Sequence, residues 1–245
     1  MRVILWDIDN TLLNFSAAEK VAMHKGFEEL ELGEFNDEML RCYMGINRKY
    51  WQALERGEMT KPEVLVGRFT EFFGLYGLPV EKAVAFNERY QELLGDTVCF
   101  HDDAYDIVKS LQGKVLQCAA TNGTKVAQVR KLKNSGLDQL FDLIFISEDI
   151  GAEKPTNAFF DKVFTDVTEW LKEKEATLDG VDKYRGALDM SDAIIVGDSL
   201  TSDILGGNNA GIKTCWYNPK GVVNDTAAVV DYEIKDLHEI YEIIK

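Results

Sequence analysis

Four short segments of this 245-residue chain carry side chains able to do chemistry on a phosphate ester. Asp7 and Asp9 sit two apart in Asp7-Ile8-Asp9-Asn10-Thr11, a hydroxyl and an amide adjoin in Thr121-Asn122-Gly123, and a lysine precedes a proline in Lys154-Pro155. Two further carboxylates, Asp198 and Asp203, lie in Gly197-Asp198-Ser199-Leu200-Thr201-Ser202-Asp203. Cleaving a phosphate monoester needs a nucleophile, neutralisation of charge and a proton for the leaving oxygen. Asp7 offers a carboxylate that can attack phosphorus, and Asp9 can give and take the proton. A hard divalent cation such as Mg²⁺ takes few carboxylates plus substrate and water, which suits Asp7 and Asp198 with a backbone carbonyl. Thr121 and Asn122 can hydrogen-bond the transferring group, and Lys154 supplies a fixed positive charge.

Each segment follows an apolar run of the kind that forms a buried parallel strand. Those runs are Val3–Trp6, Val115–Ala120, Leu143–Ser147 and Ala193–Val196; Lys213–Tyr217 is a fifth and Val229–Ile234 a weaker sixth. Helical patterns separate them, as with Val126, Val129 and Leu132. This alternation predicts an α/β fold with a doubly wound, mostly parallel Rossmann-like sheet, whose strands deliver functional groups at their carboxyl ends. If the sheet is parallel, the four segments meet at one edge.

Residues 16–95 are of another kind: they contain no strand-like run. Met23, Phe27 and Leu30 recur at helical spacing, as do Ile46, Tyr50, Ala53 and Leu54; Leu65, Phe69, Phe72 and Tyr76; and Ala83, Phe86, Tyr90 and Leu93. Thr60 and Pro62 suit a helix start and Gly77-Leu78-Pro79 a break. The expected division is therefore an α/β core of residues 1–15 and 96–245 carrying an inserted all-helical domain, 16–95. The aromatics Tyr43, Trp51, Phe69, Phe72, Phe73 and Tyr76 could stack a base, but helical aromatics mostly form core. The charged stretch Glu169–Ser191 is longer than a simple crossover helix needs.

Composition sets limits. Hydrophobic residues make up 46% of the chain, an ordinary globular share, and 27 basic against 42 acidic residues give a formal charge of −15. That field repels a nucleic-acid polymer, although a cation in a cleft can still admit a small phosphate ester. The apolar run before Asp7 is too short for a signal peptide or membrane span. Cys42, Cys99, Cys118 and Cys215 show neither metal-ligand nor disulfide-framework spacing, which suits a cytoplasmic protein. His24, His101 and His238 form no ligand cluster. An acidic calcium loop wants glycine at its sixth position and glutamate at its twelfth, where this chain has Leu12 and Ala18. Taken singly, Thr121-Asn122-Gly123 would be a turn and Lys154 a solvated lysine.

Together, DxDxT at residue 7, TN at 121, KP at 154 and GDSLTSD at 197 resemble the haloacid dehalogenase superfamily of phosphohydrolases, in the family's order. The resemblance implies that Asp7 is the phosphorylated nucleophile. Asp9 is then the acid/base, with its backbone carbonyl on the metal, and Asp198 is a direct Mg²⁺ ligand. Asp203 orients waters or Lys154 from behind the ligands. The helical insert resembles the family's C1-type cap, which closes over the site and selects substrates. The interval from Thr121 to Lys154 is too short for the alternative, larger cap. The first motif, the cap pattern and Gly-Asp-Ser-Leu-Thr-Ser-Asp-Ile-Leu-Gly-Gly are similar to the pyrimidine 5'-nucleotidase and N-acylneuraminate 9-phosphatase branches. A phosphomonoesterase acting on a small phosphometabolite such as a nucleoside 5'-monophosphate follows. A sugar-phosphate phosphatase or phosphomutase would share the same core residues. A dehalogenase would lack the acid/base aspartate that Asp9 provides. A phospho-accepting receiver-like signalling domain also places carboxylates, a hydroxyl and a lysine at strand ends, but carries no helical insert after its first strand.

Overall fold

The computed structural model describes residues 1–177 and 189–244. Six strands form one sheet: β1 (Val3–Trp6), β2 (Leu116–Thr121), β3 (Leu143–Ile146), β4 (Ala193–Gly197), β5 (Lys213–Tyr217) and β6 (Tyr232–Ile234). Their order is β3-β2-β1-β4-β5-β6 and every pairing is parallel. The chain winds outward in one direction from β1 to β3 and in the other from β4 to β6. The switch point, where such sheets hold ligands beyond the carboxyl ends of the strands, therefore lies between β1 and β4.

β1 is buried along its whole length, as a central strand covered on both faces must be. Trp6 pairs in register with Ala119 on one side and with Val196 on the other. One face packs Val3, Leu5, Cys118, Ala120 and Ile195 against Phe159, Phe160, Val163 and Val167 of a long helix, Asn157–Thr177. That helix takes up the start of the charged stretch; residues 178–188 of it lie outside the described residues. A buried polar chain is satisfied internally: Trp6 Nε1 donates to Gln117 Oε1 at 3.2 Å and Gln117 Nε2 to the Val108 carbonyl at 2.9 Å. The sixth strand is shorter than its apolar run. Val229 is exposed and its carbonyl accepts hydrogen bonds from Asn208 and Thr214 instead of extending the ladder.

The chain divides into two compact units. One comprises 1–14, 100–125 and 135–245; the other 15–99 and 126–134. The second unit is all helical, with α1 (Phe15–Glu29), α2 (Asp37–Glu55), α3 (Lys61–Leu75), α4 (Ala83–Asp96) and part of a further helix, Lys125–Ser135. Asn36 caps α2 by accepting from the N–H groups of Glu38 and Met39, and Thr60 with Glu63 forms a capping box on α3. Its core is aromatic: Phe27, Tyr43, Phe69, Phe72, Phe73, Phe86 and Tyr90 are all buried, with Tyr43 stacked on Phe69 at 5.0 Å. Four of the six aromatics that could have stacked a base thus belong to this core.

Residues 126–134 join the helical unit although the sequence division left them with the α/β part. Ala127 packs into the aromatic cluster, Arg130 pairs with Asp96 at 2.8 Å and Asn134 Nδ2 donates to the Gly95 carbonyl at 3.1 Å. Of the three apolar residues at helical spacing, Leu132 is buried and Val126 and Val129 are exposed; the buried face carries Ala127, Gln128, Lys131 and Leu132. The Lys131 ammonium lies over the Phe15 ring, which makes burial of that face tolerable. Among the described residues no helix is long and apolar enough to cross a membrane.

Candidate active site

Asp7 continues β1 by one residue: its N–H donates to the Val196 carbonyl at 2.9 Å. The chain then turns back sharply. Leu12 and Leu13 both donate to the Ile8 carbonyl, and Asn10 takes a left-handed φ of 63°, a conformation asparagine tolerates better than most residues. This turn brings Thr11 under Asp7, where its Oγ1 donates to Asp7 Oδ2 at 3.0 Å. The other Asp7 oxygen, Oδ1, accepts from Lys154 Nζ at 2.9 Å. Both rotatable bonds of the nucleophile candidate are therefore held.

Lys154 is 1% exposed and uses all three ammonium protons: on Asp7, on Asp203 Oδ1 at 2.6 Å and on the Ala120 carbonyl at 2.6 Å. Burial alone would lower its pKa, but the facing Asp203 and Asp7 carboxylates outweigh that and raise it, so it is a permanent cation. Asn122 builds the lysine's support. Its Nδ2 donates to the Lys154 carbonyl at 2.8 Å and to Ser202 Oγ at 3.2 Å, while its Oδ1 accepts the Lys154 N–H at 2.9 Å. The sequence assigns Asn122 to the phosphoryl group; here both protons of its side-chain amide are engaged by the protein. Thr121 is buried at the end of β2, and its Oγ1 accepts the Gly123 N–H at 3.1 Å, which leaves the hydroxyl proton to donate.

The turn after β4 folds tightly. Asp203 Oδ2 accepts the Ser199 N–H at 3.1 Å, Ser199 Oγ accepts the Ser202 N–H at 3.1 Å, and Leu200–Ile204 form a single turn of π-helix, a geometry frequent at functional sites. Trp216 Nε1 donates to the Asp198 carbonyl at 2.9 Å. The Asp198 carboxylate makes no hydrogen bond among the described residues.

Asp7, Asp198 and Asp203 each present a carboxylate oxygen within 4.8 Å of the others. Three carboxylates face one ammonium, an excess of two negative charges. Burial, and after it repulsion by Asp203 and Asp9 against the pull of Lys154, pushes Asp7 up to about 7. Asp198 is raised well above the carboxylate range by burial and by the charges of Asp7 and Asp203. Asp9 is close enough to add to both shifts. An all-oxygen donor set with this excess charge fits a hard divalent cation such as Mg²⁺. Asp203 is held by Lys154 and Ser199 and Asp7 by Lys154 and Thr11, while the Asp198 carboxylate accepts no hydrogen bond from the described residues.

Sequence reasoning placed these acids and the lysine on strand ends but gave no role to Thr11, Ser199, Ser202 or Trp216. Thr11 was visible as the last letter of DxDxT; the contacts of the others depend on residues distant in sequence or on the fold of one turn.

Comparison with known proteins agrees with this geometry. The model of the haloacid dehalogenase-like hydrolase family matches residues 4–217. The chain is 35% identical to the HAD-hydrolase YfnB of Bacillus subtilis over 243 residues, covering 99% of this chain and 95% of that protein. It is 33% identical to the pyrimidine 5'-nucleotidase PynA of Streptococcus pneumoniae, covering 99% and 94% respectively. The crystal structure of YfnB bound to magnesium superimposes with a TM-score of 0.85 at 34% identity, covering 100% of this chain and 98% of that one. The chain belongs to the haloacid dehalogenase-like hydrolase family.

Proposed function

We propose that this protein is a magnesium-dependent phosphomonoester hydrolase that works through an aspartyl-phosphate on Asp7, in the cytoplasm, on a small phosphometabolite such as a nucleoside 5'-monophosphate. The observation that carries the reading is the buried Lys154 ammonium bridging Asp7 and Asp203 beside Asp198. It presents a nucleophile, a fixed cation and a metal-sized acidic cluster at one strand edge. Two relatives, PynA and, at 26% identity, YjjG of Escherichia coli, are pyrimidine 5'-nucleotidases, which supports the nucleotide substrate class.

Magnesium, held by Asp7, Asp198 and the Asp9 main-chain carbonyl, would supply charge neutralisation for the phosphoryl oxygens. The rest falls to the chain's own groups. An Asp7 carboxylate oxygen attacks phosphorus, the ester P–O bond breaks, and Asp9 gives its proton to the departing alkoxide. Thr11 keeps Asp7 aimed, while Thr121 donates its hydroxyl proton to a phosphoryl oxygen and Lys154 opposes the growing negative charge. Asp9, now a carboxylate, takes a proton from water as that water's oxygen attacks the same phosphorus. The Asp7–phosphorus bond breaks, inorganic phosphate leaves, and Asp9 is protonated as at the start. The helical unit acts as the substrate-selecting cap.

The test is a panel of nucleoside monophosphates, sugar phosphates and small organic phosphates assayed with Mg²⁺. The expected result is inorganic phosphate released from a nucleoside monophosphate and abolished reversibly by EDTA. An isomerised sugar phosphate without free phosphate, or a phosphoprotein that persists after acetyl phosphate treatment, contradicts the proposal.

A further inference from the structure

We propose that Trp216 is a positioning residue for the metal-binding turn: its indole N–H fixes the main chain of Asp198 and thereby sets the affinity of the Asp7–Asp198 site for a divalent cation. The proposal rests on the magnesium reading given above. Trp216 lies on β5 in register with Gly197, the residue immediately before Asp198. From there its Nε1 reaches the Asp198 carbonyl at 2.9 Å. Trp216 is 5% exposed and clusters with Ile204 and Ala228, with Leu200, Leu205 and Val230 packed around them. Trp216 therefore meets the turn in two ways: by a hydrogen bond to its first limb and through an apolar cluster shared with Ile204 and flanked by Leu200, the residues that end and begin the π-helical turn.

The grip matters because of what Asp198 lacks. Carboxylates that bind metals are usually oriented by hydrogen bonds of their own, and losing such support costs about 10- to 100-fold in metal affinity. Asp7 has Thr11 and Lys154 for this purpose. The Asp198 carboxylate has no hydrogen-bond partner among the described residues, so its direction is set by its backbone, and Trp216 holds that backbone.

The test removes the donor and keeps the ring. Trp216→Phe and the replacement of Trp216 by benzothienylalanine, a sulfur isostere of tryptophan without the N–H, are compared with the unaltered protein and with Asp198→Asn. Mg²⁺ binding is measured by calorimetric titration of the full chain, alongside thermal unfolding in EDTA. The expected result is a Kd about tenfold weaker for the isostere, with metal-free unfolding unchanged and no binding heat for Asp198→Asn. If the isostere binds Mg²⁺ as tightly as the unaltered protein while Asp198→Asn does not bind it, Trp216 has no positioning role and the magnesium reading stands. If Asp198→Asn binds Mg²⁺ normally, the magnesium reading itself fails and the proposal fails with it.

Discussion

A Cβ on Gly197 would overlap the carboxylate of Asp203 and lie 2.6 Å from that residue's own Cβ. Glycine here is a steric requirement: it leaves room for Asp203 to fold back and meet Lys154 and Ser199 together. Gly197→Ala should destabilise the protein by about 1–3 kcal/mol, the usual cost of overpacking. Because the displaced group is Asp203, phosphatase activity should fall further than stability alone explains. Urea denaturation and a kcat measurement on the same preparation separate the two effects.

Lys154 is the counter-ion of two buried carboxylates. Lys154→Met removes the charge while nearly keeping the volume, and leaves Asp7 and Asp203 facing each other. Breaking such a buried group should cost about 3–5 kcal/mol at neutral pH. The loss should shrink in acid, where the stranded carboxylates can protonate. Chemical denaturation at pH 5 and pH 8 checks both the size and the direction.

The raised pKa of Asp7 carries its own pH dependence. Burial pushes it up to about 7, above the ordinary aspartate value of 3.8, so between those limits the folded chain holds a proton that the unfolded chain has released. Stability of the metal-free protein should therefore fall as pH rises from about 4 to about 7, an effect to which Asp198 adds. Mg²⁺ binds the ionised carboxylates, so its stabilising effect should be larger at pH 8 than at pH 5. Thermal unfolding with Mg²⁺ and with EDTA at the two pH values provides the measurement.

The helical unit has a buried polar centre of a different sort. Arg68 is 1% exposed and donates to Asn47 Oδ1 at 2.6 Å and Asn87 Oδ1 at 3.3 Å, and Asn47 passes the contact on to Glu19 at 2.9 Å. The guanidinium also lies over the Phe69 and Tyr90 rings. Arg68→Ala should cost about 3–5 kcal/mol, because Asn47 and Asn87 lose a buried charged donor and the ring contacts are lost as well. Arg68→Lys should recover only part of this, since an ammonium cannot reproduce the planar fork. Urea unfolding of both variants tests the order.

Much of the site was legible because each functional residue directly follows a buried apolar run, and a parallel sheet turns that adjacency into a shared edge. Asp7, Thr121 and Asp198 needed only the strand ends, and Lys154 the loop after β3. Asn122 was not legible in the same way: its amide engages the Lys154 peptide, 32 residues on, and only the folded loops bring the two together. Trp216 looked like one more apolar strand residue, and its N–H gained meaning only once β5 lay beside Gly197. Which face of helix Lys125–Ser135 is buried was also not legible from spacing. Its valines fit an amphipathic pattern, but packing with Phe15 and the aromatic cluster selected the side bearing Ala127 and Lys131.

The central claim is covalent chemistry at Asp7, and one measurement reaches it directly. Asp9→Asn protein, lacking the group that activates water, is mixed with Mg²⁺ and a ³²P-labelled nucleoside monophosphate, quenched in acid and digested. The predicted result is label on the peptide containing Asp7, absent when Asp7→Asn is also present. Label on another residue, or no trapped label while Asp7→Asn alone still turns over substrate, would contradict the account.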